Sequence, residues 1–260
     1  LVSYRQEIVA ALEGSVLGTP LEIHGQIGST NERAKEWARS GAPHGALVVA
    51  DHQTAGRGRF GRPWVAPAES AILASVIIRP RLAPPRAPLV TLAWAAAMRE
   101  VFARETGADI RVKWPNDIVF EGGKISGILT ESILGAGTID AMVIGFGVNV
   151  NQEEGFPEGR VTSLALVAKH SFPRAPLLRA ILDEGAEAVS LLEEDASEPL
   201  LDILRRHSSV LGRDVKVQAG AIQREGRAVD IDAEGRLVLE TAEGIFRAAA
   251  GEVTLKEMGA

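Results

Sequence analysis

The chain has 260 residues, of which 46% are hydrophobic and 24% charged, with a net charge of −6 and no cysteine. This is an ordinary globular composition, long enough for one large domain or a medium domain plus a small one. It excludes disulfides, thiolate nucleophiles and cysteine metal sites, and a pI near 5.5 offers no general basic field for duplex nucleic acid.

The first residues, Leu-Val-Ser-Tyr-Arg-Gln-Glu, carry no apolar signal core. No stretch reaches the roughly 18 apolar residues of a membrane span. The expectation is a soluble, cytoplasmic protein without a membrane partner. Residues 3–13 predict a short amphipathic helix. Ser29-Thr-Asn-Glu opens a second, through a Ser-x-x-Glu capping box, with Trp37 and Ala38 facing inward and Gly41 as its stop. Residues 45–51 and 71–79 read as buried strands, and 89–106 as a long, largely buried helix. A strand over 110–114 ends at Pro115. Residues 118–120 and 125–130 flank Glu-Gly-Gly-Lys as a hairpin. Residues 139–150 form a strand whose Gly145 and Gly147 predict a bulge or a close ligand approach. Helices follow at 177–192 and 200–207.

Beyond Ser208 the pattern changes to short β runs at 214–218, 227–232, 236–241, 245–249 and 253–255. These predict a small barrel that leans on the main domain, because its own core is slight. The expected boundaries are 1–208 for the larger α/β part and 209–260 for the small β domain.

Five segments carry chemistry. Between β-like residues and Trp64 the chain reads Gln53-Thr-Ala-Gly-Arg-Gly-Arg-Phe-Gly-Arg-Pro-Trp. Gly56, Gly58 and Gly61 let the backbone wrap a ligand, and Arg57, Arg59 and Arg62 offer forked donors to phosphate or carboxylate oxygens. A solvated loop or an RNA-binding Arg-Gly run is the alternative. The literal Gly-x-Gly-x-x-Gly at 56–61 is a poor dinucleotide fingerprint, since Pro63 and Trp64 stand where a helix should begin. Lys-Trp-Pro-Asn-Asp at 113–117 puts a lysine, an amide and a carboxylate at a strand end, a place where turn residues are also ordinary. Lys124 follows a Gly-Gly turn, and Gly127 beyond it leaves room for a pocket. Ser29-Thr-Asn is explained by capping alone, yet a helix N-terminus also suits a ligand carbonyl.

In this order and spacing, the segments resemble the biotin protein ligase family: Ser-Thr-Asn at 29–31, Gln53 with Gly-Arg-Gly-Arg-Phe-Gly-Arg at 56–62 and Trp64, Lys-Trp-Pro-Asn-Asp at 113–117, Gly-Lys-Ile-Ser-Gly-Ile-Leu at 123–129, and Gly-Phe-Gly-Val-Asn-Val-Asn at 145–151. Phe60 departs, standing where many members have arginine. The resemblance implies an α+β, class II synthetase-like mixed sheet with helices packed on it, followed by an SH3-like barrel. It also implies the ligase-only class, without an N-terminal DNA-binding domain and with no DNA partner.

By the same resemblance the reaction joins biotin to ATP, with Mg²⁺, giving biotinyl-5′-AMP. Biotin then passes to a lysine of the biotin carboxyl carrier protein of acetyl-CoA carboxylase. Ser29, Thr30, Asn31, Gln53, Arg57, Gly58, Arg59, Trp64, Lys124 and Gly127 are the expected biotin contacts, with Trp64, Ile125 and Gly127 walling the valeryl chain. Arg59, Arg62, Asn116, Lys124 and Asn149 are the expected ATP contacts, with Lys124 and Arg59 catalytic and no protein-held metal. Asp117 is open between orienting Lys113, Lys124 or a metal water. A homodimer through sheet edges is compatible with the family. A lipoate–protein ligase shares the implied fold but not the ureido-matching polar set, and an RNA-binding protein conflicts with the acidic charge.

Overall fold

A computed structural model describes residues 2–154, 156 and 160–255. Helix α1 (Val2–Ala11) precedes β1 (Leu21–Ile27), which was not among the expected elements. Its Leu-Glu-Ile-His alternation is that of a half-buried edge strand. Helix α2 (Thr30–Arg39) buries Ala34 and Ala38 and stops where Gly41 takes φ +92, while Trp37 packs only at the margin. The continuous apolar runs become β2 (Leu47–Gln53) and the wholly buried β3 (Ala71–Ile78). Helix α3 (Ala87–Thr106) is apolar around most of its circumference and is buried accordingly.

Four strands complete the large sheet: β4 (Arg111–Lys113), β5 (Asp117–Phe120), β6 (Gly123–Gly135) and β7 (Thr138–Asn149). Between β5 and β6, Glu121 and Gly122 both take positive φ, the geometry of a tight two-residue hairpin. The sheet order is β1-β2-β3-β7-β6-β5-β4; β1 and β2 run parallel and the other pairs antiparallel. Helices α4 (Leu164–Ala168), α5 (Arg174–Glu193) and α6 (Glu198–Arg206) follow. One face of the sheet packs on α3 and α5 through the main core, which includes Ile72, Ala74, Val76, Ile144, Phe146 and Val148. The other carries α2 over Val48, Ile77, Ala141 and Val143 and leaves its remaining area open.

A second sheet holds β8 (Asp214–Ala219), β9 (Ile222–Ile231), β10 (Leu237–Thr241), β11 (Gly244–Ala248) and β12 (Glu252–Leu255) in the order β11-β10-β9-β8-β12. Its outer strands β11 and β12 do not pair with each other among the described residues, so the expected barrel is an open antiparallel sheet. It leans on the larger part as its slight core requires. Gly235, at φ +75, sits against Leu89 and Leu92 of α3, and its carbonyl accepts a hydrogen bond from Trp114 Nε1 at 3.0 Å. Arg205 of α6 donates to Asp230 and to the carbonyl of Ile231. No described helix is long and apolar enough to cross a membrane.

Candidate active site

The open part of the α2-side face is one wall of a cavity of about 420 Å³. Ser29, Thr30, Asn31, Gln53, Arg57, Gly58, Arg59, Arg62, Trp64, Asn116, Lys124, Gly127 and Asn149 all line it. Lys113, Asp117 and Glu252 line it too. Ile125 does not: it is fully buried in the main core. Strand β6 shifts register against β5 so that Ile118 faces Ser126 and Val119 faces Lys124, leaving Ile125 as the extra residue of a bulge. A bulge reverses the alternation of side chains. Lys124 is thereby aimed to the same side as Gly127, while Ile125 turns into the core. Leu129 and Val65 supply apolar lining instead.

Three glycines clear the floor. Gly127 and Gly147 are register partners across β6 and β7, and Gly145 lies opposite Ser75 and Leu129. The register of β7 with both neighbours is unbroken through 145–147, so these glycines mark close approach and not a bulge. A Cβ on Gly147 would lie 2.3 Å from the Trp64 ring, one on Gly145 would lie 1.8 Å from Asn31 Oδ1, and one on Gly127 would lie 2.8 Å from Lys124 Nζ. Each absent side chain is therefore replaced by a functional one. Trp64 lies over the bare strands with its Nε1 buried and unpartnered, and Lys124 Nζ sits 5.5 Å from the indole centroid.

At the polar end, Thr30 donates through its backbone N–H to Gln53 Oε1 at 2.7 Å. Ser29 caps α2 by accepting from Glu32 N at 3.5 Å. The expected capping box is only half made, because the Glu32 carboxylate binds Lys35 at 2.9 Å and Arg57 at 3.4 Å. That Lys35 bond, with burial opposing it, holds the Glu32 carboxyl below the usual carboxylate range.

At the other end cations gather. The 56–64 loop closes on itself through Gly58 N–H to Arg62 C=O at 2.7 Å and Trp64 N–H to Gly56 C=O at 2.9 Å. Arg59 donates to Asn116 Oδ1 at 2.8 Å, and Asn116 in turn donates to Asp117 and to the carbonyl of Ile128. Burial pulls the Arg59 pKa below the ordinary arginine value against Asp117 and Glu252, so this guanidinium has already shed part of its water. Asp117 Oδ1 is 2.7 Å from Lys124 Nζ, the contact that one of the open alternatives called for. Arg62 pairs with Glu252 of β12 at 2.6 Å. Asn149 spends its NH₂ on the carbonyls of Lys124 and Thr162. Phe60 holds φ 58, and the Arg59 guanidinium lies 4.9 Å from its ring centroid. Reasoning from sequence missed Ser75 and Glu131, which hold Asn31, and missed the bulge at Ile125. A lone hydroxyl within the apolar run Ala-Ile-Leu-Ala-Ser-Val-Ile-Ile was the available signal, since a buried hydroxyl requires a partner.

A mixed sheet bearing a cavity polar at one end and cationic at the other, with a small antiparallel sheet beside it, is the architecture of a protein ligase of the biotin and lipoate class. Residues 25–149 match the Biotin/lipoate A/B protein ligase family, and residues 210–256 match the Biotin protein ligase C terminal domain. The biotin–[acetyl-CoA-carboxylase] ligase of Mycobacterium tuberculosis is 34% identical over 96% of this chain and 93% of its own. The bifunctional ligase/repressor BirA of Bacillus subtilis is 34% identical over 96% of this chain and 78% of its own. Among solved structures, the Aquifex aeolicus biotin protein ligase in complex with biotin and ATP superposes with a TM-score of 0.77 at 30% identity, covering 92% of this chain and all of that one. The chain belongs to the biotin protein ligase family and is a ligase.

Proposed function

We propose that the protein activates biotin with ATP to biotinyl-5′-AMP, releasing pyrophosphate, and transfers biotin to a lysine of a biotin carboxyl carrier protein. The observation that carries this reading is the polarity of this cavity: short hydrogen-bonding groups at α2 and Gln53, an apolar slot under Trp64, and Lys124, Arg59 and Arg62 beyond it. Biotin has the same order of parts, a cyclic urea, an apolar body and a carboxylate. A site that pairs every ureido atom rejects ligands lacking them, which separates biotin from lipoate.

In the first step a carboxylate attacks an α-phosphorus, and two anions must meet. Lys124 bridges the carboxylate and the α-phosphate, and the Asp117 contact fixes its approach. Arg59, with Asn116, holds the adenylate, and Arg62 faces the departing pyrophosphate. Because the Asn149 amide nitrogen is committed to backbone, its carbonyl oxygen is the group left for the nucleotide. Such catalysis is mainly positioning and charge stabilisation. Among the described residues no three metal-ligating side chains gather. In this reading Mg²⁺ would enter with ATP, held largely by the phosphates and by water.

The use of ATP puts the reaction in the cytoplasm. The same reading divides the chain into a catalytic part, 1–208, and a sheet part, 209–260. A second copy would pair along the outer edge of β1, the end strand of the large sheet.

The test is incubation with biotin, ATP, Mg²⁺ and a carrier domain, read as the biotin mass increment and as ATP–pyrophosphate exchange. Lys124→Ala is expected to lower exchange by about 10² or more, the scale of losing one preorganised charge contact. Normal exchange in that variant defeats the assignment, and no mass increment with the intact chain defeats the reading.

A further inference from the structure

Thr30 sits among oxygen atoms that can only accept. The chain of reasons starts at Asn31, whose Nδ2 faces the Leu129 carbonyl at 3.2 Å and Glu131 Oε2 at 2.9 Å. Neither a carbonyl nor a carboxylate donates, so the Asn31 amide can be placed only one way round. Its Oδ1 then points to Ser75 Oγ, 2.6 Å away and fully buried, and takes that hydroxyl's single proton. Ser75 Oγ has only lone pairs left for Thr30 Oγ1, at 2.8 Å. Gln53 Oε1, the other neighbour of Thr30 Oγ1 at 3.1 Å, is a carbonyl already accepting the Thr30 N–H. The Thr30 proton must go to one of these two acceptors. Its free lone pair is what faces the cavity.

We propose that Ser75 and Glu131, neither of which lines the cavity, are specificity-determining positioning residues that make Thr30 an acceptor for a ligand N–H. The inference rests on the biotin reading and deepens it. Glu131 is held for this task by Lys35 at 2.8 Å, which also binds Glu32. Burial works against the Lys35 ammonium, but its two carboxylate partners raise its pKa above the ordinary lysine value, so the network stays charged. The missing side chain of Gly145 gives Asn31 its room. Lose Ser75 and the nearer of the two acceptors is gone, leaving only the longer contact to Gln53 Oε1 to keep the Thr30 hydroxyl from turning to donate.

The probes are biotin and its two cyclic carbamate analogues, in which a ring oxygen replaces one or the other ureido N–H. Binding is measured by calorimetry, and KM for ATP by pyrophosphate exchange, in the intact chain and in Ser75→Ala, Ser75→Thr and Glu131→Ala. The intact chain should prefer biotin over one carbamate by on the order of 10² or more, since that analogue sets lone pair against lone pair. Ser75→Ala should cut this preference by about tenfold, the scale of one buried hydrogen bond, with KM for ATP unmoved. Ser75→Thr, which keeps a hydroxyl, should restore it. Glu131→Ala, which removes the acceptor at a partly exposed position, should move the preference the same way. An undiminished preference in Ser75→Ala, or in Glu131→Ala if the first variant does not fold, overturns the proposal while leaving the biotin reading intact. Failure of the intact chain to bind biotin overturns both.

Discussion

Nothing in the backbone of Gly147 demands glycine; what demands it is the indole of Trp64, 2.3 Å from where a Cβ would sit. Gly147→Ala is therefore expected to push Trp64 off the floor of the cavity. Overpacking of about 1–3 kcal/mol then falls on the bound state, a loss of roughly 10–100-fold in biotin affinity by calorimetry. The melting midpoint should move little, because the displaced ring swings toward the cavity and not into the core. At this scale the sequence was informative about which residues gather, and less so about how they are held. Ser29, Gln53, Arg59 and Lys124 could be named because the segments that hold them, taken together, resemble those of a known family. Ser75 could not, since its role depends on β3 lying between β2 and β7, a pairing no local pattern reveals. Asp117 stayed ambiguous for the same reason, as its choice of Lys124 depends on the fold of the β5–β6 hairpin.

Among the elements, the apolar helices and strands and most of the short strands were legible, and two elements were not. Strand β1 and helix α4 escaped because an edge strand alternates weakly and a five-residue helix has barely one turn of periodicity. The Ile125 bulge was likewise hidden, though it decides which way Lys124 points. Packing between helices gives a sharper expectation. Gly185 lets α5 approach α3 so closely that a Cβ there would meet the Trp94 ring at 2.4 Å. Trp94 is fully buried and cannot swing aside. Gly185→Ala should thus destabilise the fold by about 1–3 kcal/mol, or more, in denaturant titration. Biotin affinity measured under native conditions should change little, because the sheet stands between both helices and the cavity.

At the scale of the molecule, the join between the sheets is a place where pH should act. His207 caps the end of α6, and its carbonyl accepts from Val112 N–H of β4 at 2.9 Å. Burial first, and Arg99 next, lower its pKa from the usual 6.5. The folded chain thus binds that proton less readily than the unfolded chain. The sign follows: stability from this group is complete above pH 6.5 and is lost as pH falls through the window just below it. A His207→Gln variant should flatten the decline in melting midpoint between about pH 6.5 and 5. The decline at lower pH should remain, because Glu22 and Glu32 have carboxyls depressed by Arg33 and Lys35 respectively. Those carboxylates contribute above their unfolded pKa, near 4.3, and lose that contribution as acid protonates them.

The bare stretch at Gly127, Gly145 and Gly147 has one more consequence. Behind it the sheet is backed by Ile128, Phe146 and Val148, but in front only single side chains, Trp64, Asn31 and Lys124, reach over it. Elsewhere such a strand would carry side chains and complete a third layer. Here the substrate is the missing piece of the core, supplied from outside. A ligand that binds only the folded chain at a hundred times its dissociation constant adds about 2.7 kcal/mol to stability. The stability of this protein is thereby tied to the supply of the molecule it consumes.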